Sequence, residues 1–401
     1  MTSEWKECCL GDIISLVIDH RGLTPKKLGG DWSKKGYRAL SAKNIKTGKI
    51  VHPESIRFVN EDMYHKWMPE EIKFGDILVT SEAPFGEIYQ WNSGEKIVLS
   101  QRLFGIRVSS FYDADYIYYY MISNIFKSEM YARATGTTVI GLRQPELLKC
   151  KIRYPDINIQ RKIASILKTI DRKIEINEEI NKNLEDQAQA YFINLFIVNA
   201  DPNWQNGTIS DIGTVVGGGT PSKKHPEYYS QRGIPWITPK DLSIDRSKFI
   251  SRGNNDISEL GFSNSSATKI PKGTVLFSSR APIGYIAIAS TTVTTNQGFK
   301  SVIPNNNIGT AFIYFFLKQA LPTIEGMASG STFKEISGSG MKSVPVVIPD
   351  DETLHKFSEF CKALFEQQII LEAENRRLSS LRDTLLPKLM SGEIDVSNID
   401  F

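Results

Sequence analysis

Two stretches of this chain, almost two hundred positions apart, follow one pattern. Residues 75–90 read GDILVTSEAPFGEIYQ, and residues 273–288 read GTVLFSSRAPIGYIAI. One such match between strand–turn–strand segments can arise by chance, but a colinear series cannot, so the chain is an internal duplication. The offset falls from 199 at Trp5 and Trp204 to 194 near the end of the chain. The further matches are RGLTPKK (21–27) with GGTPSKK (218–224), KGYRALSAKNI (35–45) with RGIPWITPKDL (232–242), ATGTT (134–138) with ASGST (328–332), and EEINKNL (178–184) with EAENRRL (372–378).

The larger part of each copy, residues 1–157 and 198–349, is predicted to be mixed α/β. The aromatic runs YIYYYMI (116–122) and FIYFFL (312–317) contain interleaved Leu, Met and Ile, which favours buried helices over a surface on which bases stack. With 401 residues, 41% of them hydrophobic, the chain can form roughly two to three ordinary domains. Short β-branched runs alternate with Gly, Pro and Asn turns, and the clearest predicted strands are Ile77–Thr80, Ile97–Leu99 and Val346–Ile348.

The rest of each copy, residues 158–197 and 350–401, has the period of a coiled coil. Helices are predicted to begin near Asn158, whose side chain suits an N-cap, and after Asp350. Seam residues recur at alternating steps of three and four, with charged residues at the outer positions. The first seam contains Ile163, Leu167, Ile170, Ile174, Asn177, Asn181, Leu184, Ala188, Tyr191 and Leu195, and the second contains Phe357, Cys361, Leu364, Gln368, Leu371, Asn375, Leu378, Arg382, Leu385 and Leu389.

A long helix with one apolar stripe needs a partner to cover that stripe. Forty residues of helix extend about 60 Å, and five heptads exceed the usual length of a globular helix. We therefore expect the two duplicated helices to pair as a coiled coil; an ordinary helix packed on its own domain is the alternative. Asn181 and Asn375 occupy the same place in the two seams, and buried asparagines of this kind set the register.

The net charge of +3 conceals an uneven distribution. Residues 1–157 carry +3, residues 158–197 carry 0, residues 198–349 carry +5, and residues 350–401 carry −5. The basic excess of the two larger segments is a weak indication of polyanion binding. No run reaches the ~18 uncharged apolar residues of a membrane helix. The start, MTSEWKECC, lacks the apolar core of a signal peptide, so a cytoplasmic protein with no membrane partner is expected.

Motifs that carry catalysis or bind cofactors are missing. No Walker A loop, GxSxG, HExxH or Asp/Asn-Pro-Pro-aromatic motif occurs. The glycine run VVGGGTP (215–221) is interpreted as a flexible turn, because its partner in the first copy lacks the glycines. None of the five histidines has a counterpart in the other copy, and no paired carboxylates are repeated. We therefore expect no enzyme activity, cofactor or metal site in this chain alone. The cysteines form no CxxC pair and have no histidines nearby, so they are interpreted as structural thiols and not as metal ligands. They are Cys8, Cys9, Cys150 and Cys361.

Polar and basic residues of the predicted loops are repeated, and these suit contacts with phosphates and base edges. Other loop positions differ: Glu82 matches Arg280, and Arg102 matches Gly298. Arg143 has no basic counterpart. Two copies of one framework with different exposed side chains would read two different sequences. The candidate DNA-binding residues are Thr24, Lys26, Lys27, Lys43, Arg102, Thr137, Thr138, Arg143, Thr220, Lys223, Lys224, Lys240, Arg280, Ser331, Thr332 and Lys334.

The chain resembles the specificity subunit of type I restriction–modification systems over essentially its whole length. The resemblance rests on the Ala-Pro-Ile-Gly turn (281–284), the RKIASIL segment (161–167) and the tail LRDTLLPKLMSGEI (381–394). The first copy departs from it, because Glu82 precedes its Ala-Pro turn and Phe85 follows. The resemblance implies an α+β, pseudo-two-fold internal repeat, in which two target recognition domains (1–157 and 198–349) are separated by antiparallel spacer helices (158–197 and 350–401).

The resemblance also implies a function and partners. The chain would read double-stranded DNA as two half-sites with an unspecified gap. Two methyltransferase subunits would dock on the helices, and restriction or motor subunits would be added for cleavage. S-adenosylmethionine, ATP and Mg²⁺ would then bind in those partners, with no cofactor in this chain.

Two other functions stay open on the sequence. The first is a standalone DNA-processing nuclease, against which the lack of a duplicated carboxylate cluster argues. The second is a coiled-coil scaffold for protein partners, which salt-dependent DNA binding by the recognition domains would contradict.

Overall fold

The structure, a computed structural model, describes residues 5–330 and 334–399. The chain forms two compact units, residues 1–174 with 377–401 and residues 175–376. We call residues 1–197 the first copy and residues 198–401 the second copy. The predicted four-part division at residues 157, 197 and 349 stays a prediction.

The elements of the first copy alternate short strands and helices before one long helix. They are β1 (Lys6–Cys9), β2 (Ile14–Asp19), β3 (Tyr37–Leu40), β4 (Ile45–Lys46), β5 (Lys49–Ile50), β6 (Arg57–Val59), α1 (Glu61–Trp67), β7 (Ile77–Thr80), β8 (Ile88–Gln90), β9 (Ile97–Leu99), β10 (Leu103–Val108), α2 (Ala114–Ile122), α3 (Asn124–Arg133), α4 (Gln144–Leu148), β11 (Lys151–Tyr154) and α5 (Ile157–Ile193).

The second copy repeats this succession. Its elements are β12 (Gln205–Thr208), α6 (Ile209–Ile212), β13 (Gly213–Gly217), β14 (Tyr229–Ser230), β15 (Ile234–Ile237), α7 (Pro239–Ile244), β16 (Phe249–Ile250), β17 (Asn255–Ile257), α8 (Glu259–Ser263), β18 (Val275–Ser279), β19 (Ile283–Ala289), β20 (Thr294–Thr295), β21 (Lys300–Pro304), α9 (Thr310–Gln319), α10 (Leu321–Met327), α11 (Gly338–Lys342), β22 (Pro345–Ile348) and α12 (Asp351–Ser391).

The sheets of the two copies have the same strand order. In the first copy the larger sheets are β2-β10-β7-β8 and β6-β3-β9, β1 pairs with β11, and β4 pairs with β5. The second copy contains β13-β21-β18-β19 and β17-β15-β20, extended by β16 and β14, and β12 pairs with β22. In the smaller three-stranded arrangement of each copy, one pair is parallel: β3 with β9 in the first copy and β15 with β20 in the second. The internal duplication and the α+β class are therefore confirmed.

Both aromatic runs form buried helices, as predicted. In α2 the rings of Tyr116 and Tyr120 are buried in the first unit, and in α9 Phe312 and Phe315 are buried in the second. Asp113 caps α2 by accepting a hydrogen bond from the Tyr116 amide at 2.9 Å. These rings belong to the cores and do not form a stacking surface.

The glycine run at 215–221 is not the flexible turn that we predicted. Its first residues belong to β13, which pairs with β21 as far as Gly217. A Cβ on Gly218 would lie 2.2 Å from the Asn296 carbonyl oxygen, and one on Gly219 would lie 2.4 Å from the Ser266 carbonyl carbon. Glycine is needed here because backbone packs against backbone.

The long helices begin and end close to the predicted positions. α5 contains 37 residues and α12 contains 41. The N-cap of α5 is Asp156, whose side chain accepts hydrogen bonds from the amides of Asn158 and Ile159, so the predicted cap at Asn158 was wrong by two residues. A short π-helical turn, Asn194–Val198, follows α5. In α12 the side chain of Asp350 accepts from the Thr353 amide at 2.8 Å.

The predicted seam residues are buried or half-buried throughout both helices. In the second unit the helices pair antiparallel: Asn177 contacts Asn375, the Gln368 side chain donates to the Asn181 carbonyl oxygen at 3.0 Å, and Tyr191 packs against Phe357. The seam partner of Asn375 is thus Asn177, four residues before the Asn181 that matches Asn375 in the repeat. The predicted pairing of the two helices is therefore confirmed within the second unit.

The same two helices also take part in the core of the first unit. Asp171 on α5 accepts hydrogen bonds from Arg382 on α12 at 3.0 Å and from the Tyr119 hydroxyl at 2.8 Å. Lys162 donates to the carbonyl oxygen of Ser397 at 2.6 Å. The C-terminal tail therefore packs on the first copy.

A charged cluster is buried where β16 meets the long helices of the second unit. Lys248 is 7% exposed, forms an ion pair with Glu185 on α5 and donates to Gln368 on α12 at 2.7 Å. Glu372 accepts from the backbone amides of Lys248 and Phe249. Burial raises the pKa of Glu185, but Lys248 and Lys318 outweigh burial, so that its pKa lies below the ordinary value. The cluster fastens β16 to both helices.

In the described part of the chain, no helix is long and apolar enough to cross a membrane.

Candidate nucleic-acid interface

Four of the predicted binding residues of the first copy line two adjoining clefts. The first cleft, of about 240 Å³, is lined by Lys43, Arg57, Gln101 and Arg102 together with Trp32 and several small residues. The second, of about 380 Å³, is lined by Arg21, Thr24, Lys27, Ser81, Glu82, Gln101 and Arg102. The clefts therefore share Gln101 and Arg102, and each contains basic side chains.

Local structure fixes each wall of these clefts. Lys43 lies in a short 3-10 helix whose first turn is capped by Ser41 and Asn44. Thr24 accepts a hydrogen bond from the Lys27 amide at 3.3 Å, and the Lys27 ammonium donates to the Gly22 carbonyl oxygen at 2.7 Å. Lys26, in the same turn, is exposed and is not among the residues that line either cleft.

The repeated Ala-Pro turn adopts the same backbone in both copies. Ala83 has φ 45° and Ala281 has φ 52°, and the peptide bond to the following proline is cis in each. In the first copy Glu82, beside this turn, forms an ion pair with Arg102 at 2.9 Å. Arg102 itself has φ 64°, and its carbonyl oxygen accepts from the Ser81 amide at 2.9 Å.

A neighbouring loop brings further predicted residues to this surface. Thr135 and Gly141 form a bridge that closes the loop, and Gly141 also bridges to Glu82. Thr137 and Thr138 are exposed within the loop. Arg143 is exposed beyond it, and its carbonyl oxygen accepts from the first turn of α4. The loop and the Ala-Pro turn thus form one continuous surface.

The second copy places its predicted residues on the equivalent elements. Lys240 is exposed in α7, and the cap of α7 by Thr238 and Asp241 repeats the cap beside Lys43. Thr220 donates a hydrogen bond to the Gln297 side chain. Lys223 and Lys224, which follow Thr220 in the same loop, are exposed.

Beside the Ala-Pro turn, the two copies reverse the arrangement of charge. Arg280 occupies the place of Glu82 and pairs with Glu335 at 3.2 Å, and Glu335 also lies 3.6 Å from Lys300. Arg280 is thus paired with a carboxylate that is near in space but distant in sequence, while 38% of its side chain is exposed. Lys334 is exposed next to Glu335. The predicted residues Ser331 and Thr332 lie outside the described residues.

Two residues of this surface were missed by the sequence analysis. Gln101 and Gln297 precede β10 and β21 and are exposed in both copies. The sequence does show that these glutamines correspond, because SQRLF (100–104) and NQGFK (296–300) align with glutamine as the second residue of each. A search restricted to cations and hydroxyls passes over it.

The described residues contain no group of three or more His, Cys, Asp and Glu side chains that could hold a metal ion. Cys150 and Cys361 are buried, and burial raises the pKa of each thiol to about 12. Such thiols stay protonated and unreactive near neutral pH.

Each copy of the repeat has a surface with basic residues at equivalent positions. The chain therefore belongs to the class of proteins that contain two related binding modules in one polypeptide. Comparison with known proteins gives the family. The profile described as "Type I restriction modification DNA specificity domain" matches residues 2–186 and 202–379. The chain belongs to this family, with one domain in each copy.

Individual relatives agree with the family. The type I restriction enzyme HindI specificity subunit of Haemophilus influenzae is 25% identical over 98% of this chain and 100% of its own length. The MjaIX specificity subunit of Methanocaldococcus jannaschii is 42% identical, over 39% of this chain and about a third (36%) of its own length. The crystal structure of a type I S subunit from M. genitalium has the same fold, with a TM-score of 0.62, 18% identity, and coverage of 97% and 96% of the two chains.

Proposed function

We propose that this chain is the DNA-reading subunit of a type I restriction–modification complex, and that it reads a bipartite target in double-stranded DNA. The observation that carries the proposal is the repeat of one polar, basic surface at the same place in two copies of one fold. Each surface would enter a major groove, where the pattern of donors and acceptors distinguishes all four base pairs. The exposed lysines would hold the phosphates.

The reversed charges explain why two copies would read two different half-sites. Beside the Ala-Pro turn the first copy offers Arg102, paired with Glu82, whereas the second copy offers Arg280, paired with Glu335. A guanidinium reads guanine through O6 and N7. The shared sheet order would keep the docking of the two modules alike, while these side chains differ.

Partners would supply the chemistry. We propose that two methyltransferase subunits dock on the long helices and that restriction or motor subunits join them. S-adenosylmethionine, ATP and Mg²⁺ would bind in those subunits, and the chain would act without a cofactor of its own in the cytoplasm. The paired helices α5 and α12 would set the gap between the two half-sites.

Selection of bound duplexes from a randomised library tests the proposal. The full-length chain, with and without co-purified methyltransferase subunits, is expected to enrich a motif of two defined half-sites with a fixed gap. Cleavage of DNA by the purified chain with Mg²⁺ alone would favour a standalone nuclease instead. A lack of any salt-dependent DNA binding would favour a protein scaffold.

A further inference from the structure

The two clefts of the first copy meet at one neutral side chain. Gln101 lies between the cleft that contains Lys43 and the cleft that contains Thr24. Its carbonyl oxygen accepts a hydrogen bond from the Ala42 amide at 3.1 Å. Its side chain is exposed, and no residue within 5–330 and 334–399 forms a hydrogen bond with its amide group. The backbone of Gln101 is thus held in place, while its side chain is available to a ligand.

The second copy holds a glutamine at the same point of the fold. Gly298, which follows Gln297, accepts a hydrogen bond from the Ser279 amide at 2.8 Å, as Arg102 accepts one from Ser81. Thr220, the counterpart of Thr24, donates to the Gln297 side-chain oxygen. This contact orients the amide group and leaves both of its hydrogens and one oxygen lone pair free. Position and chemistry are therefore repeated.

The neutral side chain of glutamine recognises different DNA groups from those that the surrounding lysines and arginines recognise. The lysines and arginines around the clefts suit phosphates, whereas a neutral amide offers one donor and one acceptor side by side. This pair matches N7 and N6 of adenine in the major groove. We infer that Gln101 and Gln297 are specificity-determining residues, each of which reads an adenine in its own half-site. This inference rests on the proposed function.

This inference divides the surface of each module into two parts. The glutamine, identical in the two copies, reads the same base in both half-sites. The neighbouring charged groups, which differ between copies, read or exclude bases that are not shared. The two half-sites of the target therefore have an adenine at equivalent positions relative to their modules.

The test uses library selection with the full-length chain and three single variants. Gln101→Ala is expected to lower the preference for adenine at one position of one half-site by about 10- to 100-fold, with the other half-site unchanged. Gln297→Ala should do the same in the other half-site only. Gln101→Glu removes the donor, so preference at that position should change towards cytosine, whose amino group a carboxylate accepts.

Gln187→Ala, at an exposed position of α5, is the matched control and should leave the motif unchanged. Equal weakening on all duplexes, or an unchanged motif in both alanine variants, would overturn the inference while the wild-type motif upholds the proposed function. A wild-type chain that enriches no bipartite motif would instead overturn the proposed function itself. Thermal unfolding of each variant shows whether the fold is intact.

Discussion

The amide group of Asn177 on α5 donates a hydrogen bond to the side-chain oxygen of Asn375 on α12 at 2.8 Å, and it also donates to Glu374 at 2.7 Å. Asn177 is fully buried. In a seam that is otherwise mainly apolar, these two hydrogen bonds form in only one register, because a slipped pairing would bury the Asn177 NH₂ group without an acceptor. The contact therefore fixes how the two helices align within the second unit.

Removal of one asparagine should cost more than removal of both. Asn177→Leu removes a fully buried donor from which both Asn375 and Glu374 accept, so we expect the free energy of unfolding to fall by about 1–3 kcal/mol. The double variant Asn177→Leu with Asn375→Leu should recover part of that loss. Urea unfolding of the double-mutant cycle measures the coupling. Asn183→Leu, at an exposed position of α5, is the control, and additive losses in the cycle would contradict a coupled pair.

The buried ion pair of the second unit should make stability depend on acid pH. The pKa of Glu185 lies below its ordinary value of 4.5 because Lys248 and Lys318 outweigh the effect of burial. A carboxyl whose pKa is lowered by folding contributes its stability above the unfolded-state pKa, and this contribution is lost as pH falls through the folded-state value. Unfolding curves should therefore show a loss of stability below about pH 4.5, and this loss should be smaller in Glu185→Gln.

At neutral pH, Glu185→Gln leaves the Lys248 charge buried without its carboxylate. We expect a loss of about 3–5 kcal/mol in the free energy of unfolding. Asp186→Asn changes an exposed carboxylate next to it on the same helix and should stay within about 0.5 kcal/mol of the wild type. Equal losses of unfolding free energy in the two variants would show that the buried ion pair contributes no more to stability than an exposed carboxylate does.

Phosphate contacts should be distinguishable from base contacts by salt. Replacement of the exposed Lys223 and Lys224 by alanine should weaken binding to all duplexes alike and reduce the salt slope by roughly 2, one for each lost phosphate contact. Titrations over a range of salt concentrations measure the slope. A change of the preferred sequence with an unchanged slope would instead make these lysines base readers.

Arg280 gives the opposite expectation. If it reads guanine while Glu335 orients it, Arg280→Ala should cost about 1–3 kcal/mol at one base pair of one half-site and leave the other positions unchanged. Lys334→Ala, at the exposed neighbour of Glu335, is the control and should weaken binding without a change of motif. Unchanged specificity in Arg280→Ala would show that the ion pair with Glu335 is only structural.

The length of the helices should set the gap of the target. Four residues inserted at matched points of α5 and α12 lengthen each helix by about 6 Å. With DNA rising ~3.4 Å per base pair, the gap should grow by one or two base pairs, while both half-sites stay the same. Library selection with the inserted chain gives the motif directly. Altered half-sites with an unchanged gap would contradict the proposed role of the helices.

Periodicity was enough to predict the helices but not their contacts. The seam is buried as predicted because every third or fourth residue must lie on one face. The partner of Asn375 could not be predicted from the repeat, because a matched offset relates equivalent residues and not facing ones. The glycines at 218 and 219 were misread for a similar reason: their neighbours, Asn296 and Ser266, are distant in sequence.

The candidate site was predictable by residue type and not by pairing. Thr24, Lys27, Lys43 and Arg102 line the clefts, since repeated loops of one fold bring equivalent residues to one surface. Their roles in DNA binding stay predictions. The ion pair of Arg280 depends on a bridge between residues more than fifty positions apart, which no local pattern reveals. The glutamines were overlooked because they carry no charge.

The packing of the C-terminal tail has a consequence for the order of the chain. Gly392, the residue after α12, has φ 79° and lies so close to the ring of Trp5 that a Cβ there would come within 2.8 Å of it. The segment before β1 and the end of α12 thus contact each other within the first unit. Because Trp5 and Gly392 are in contact, a circular permutant that joins these two segments through a linker, with new ends in the exposed turn at 199–203, should keep the packing of the first unit although the second copy is then translated first.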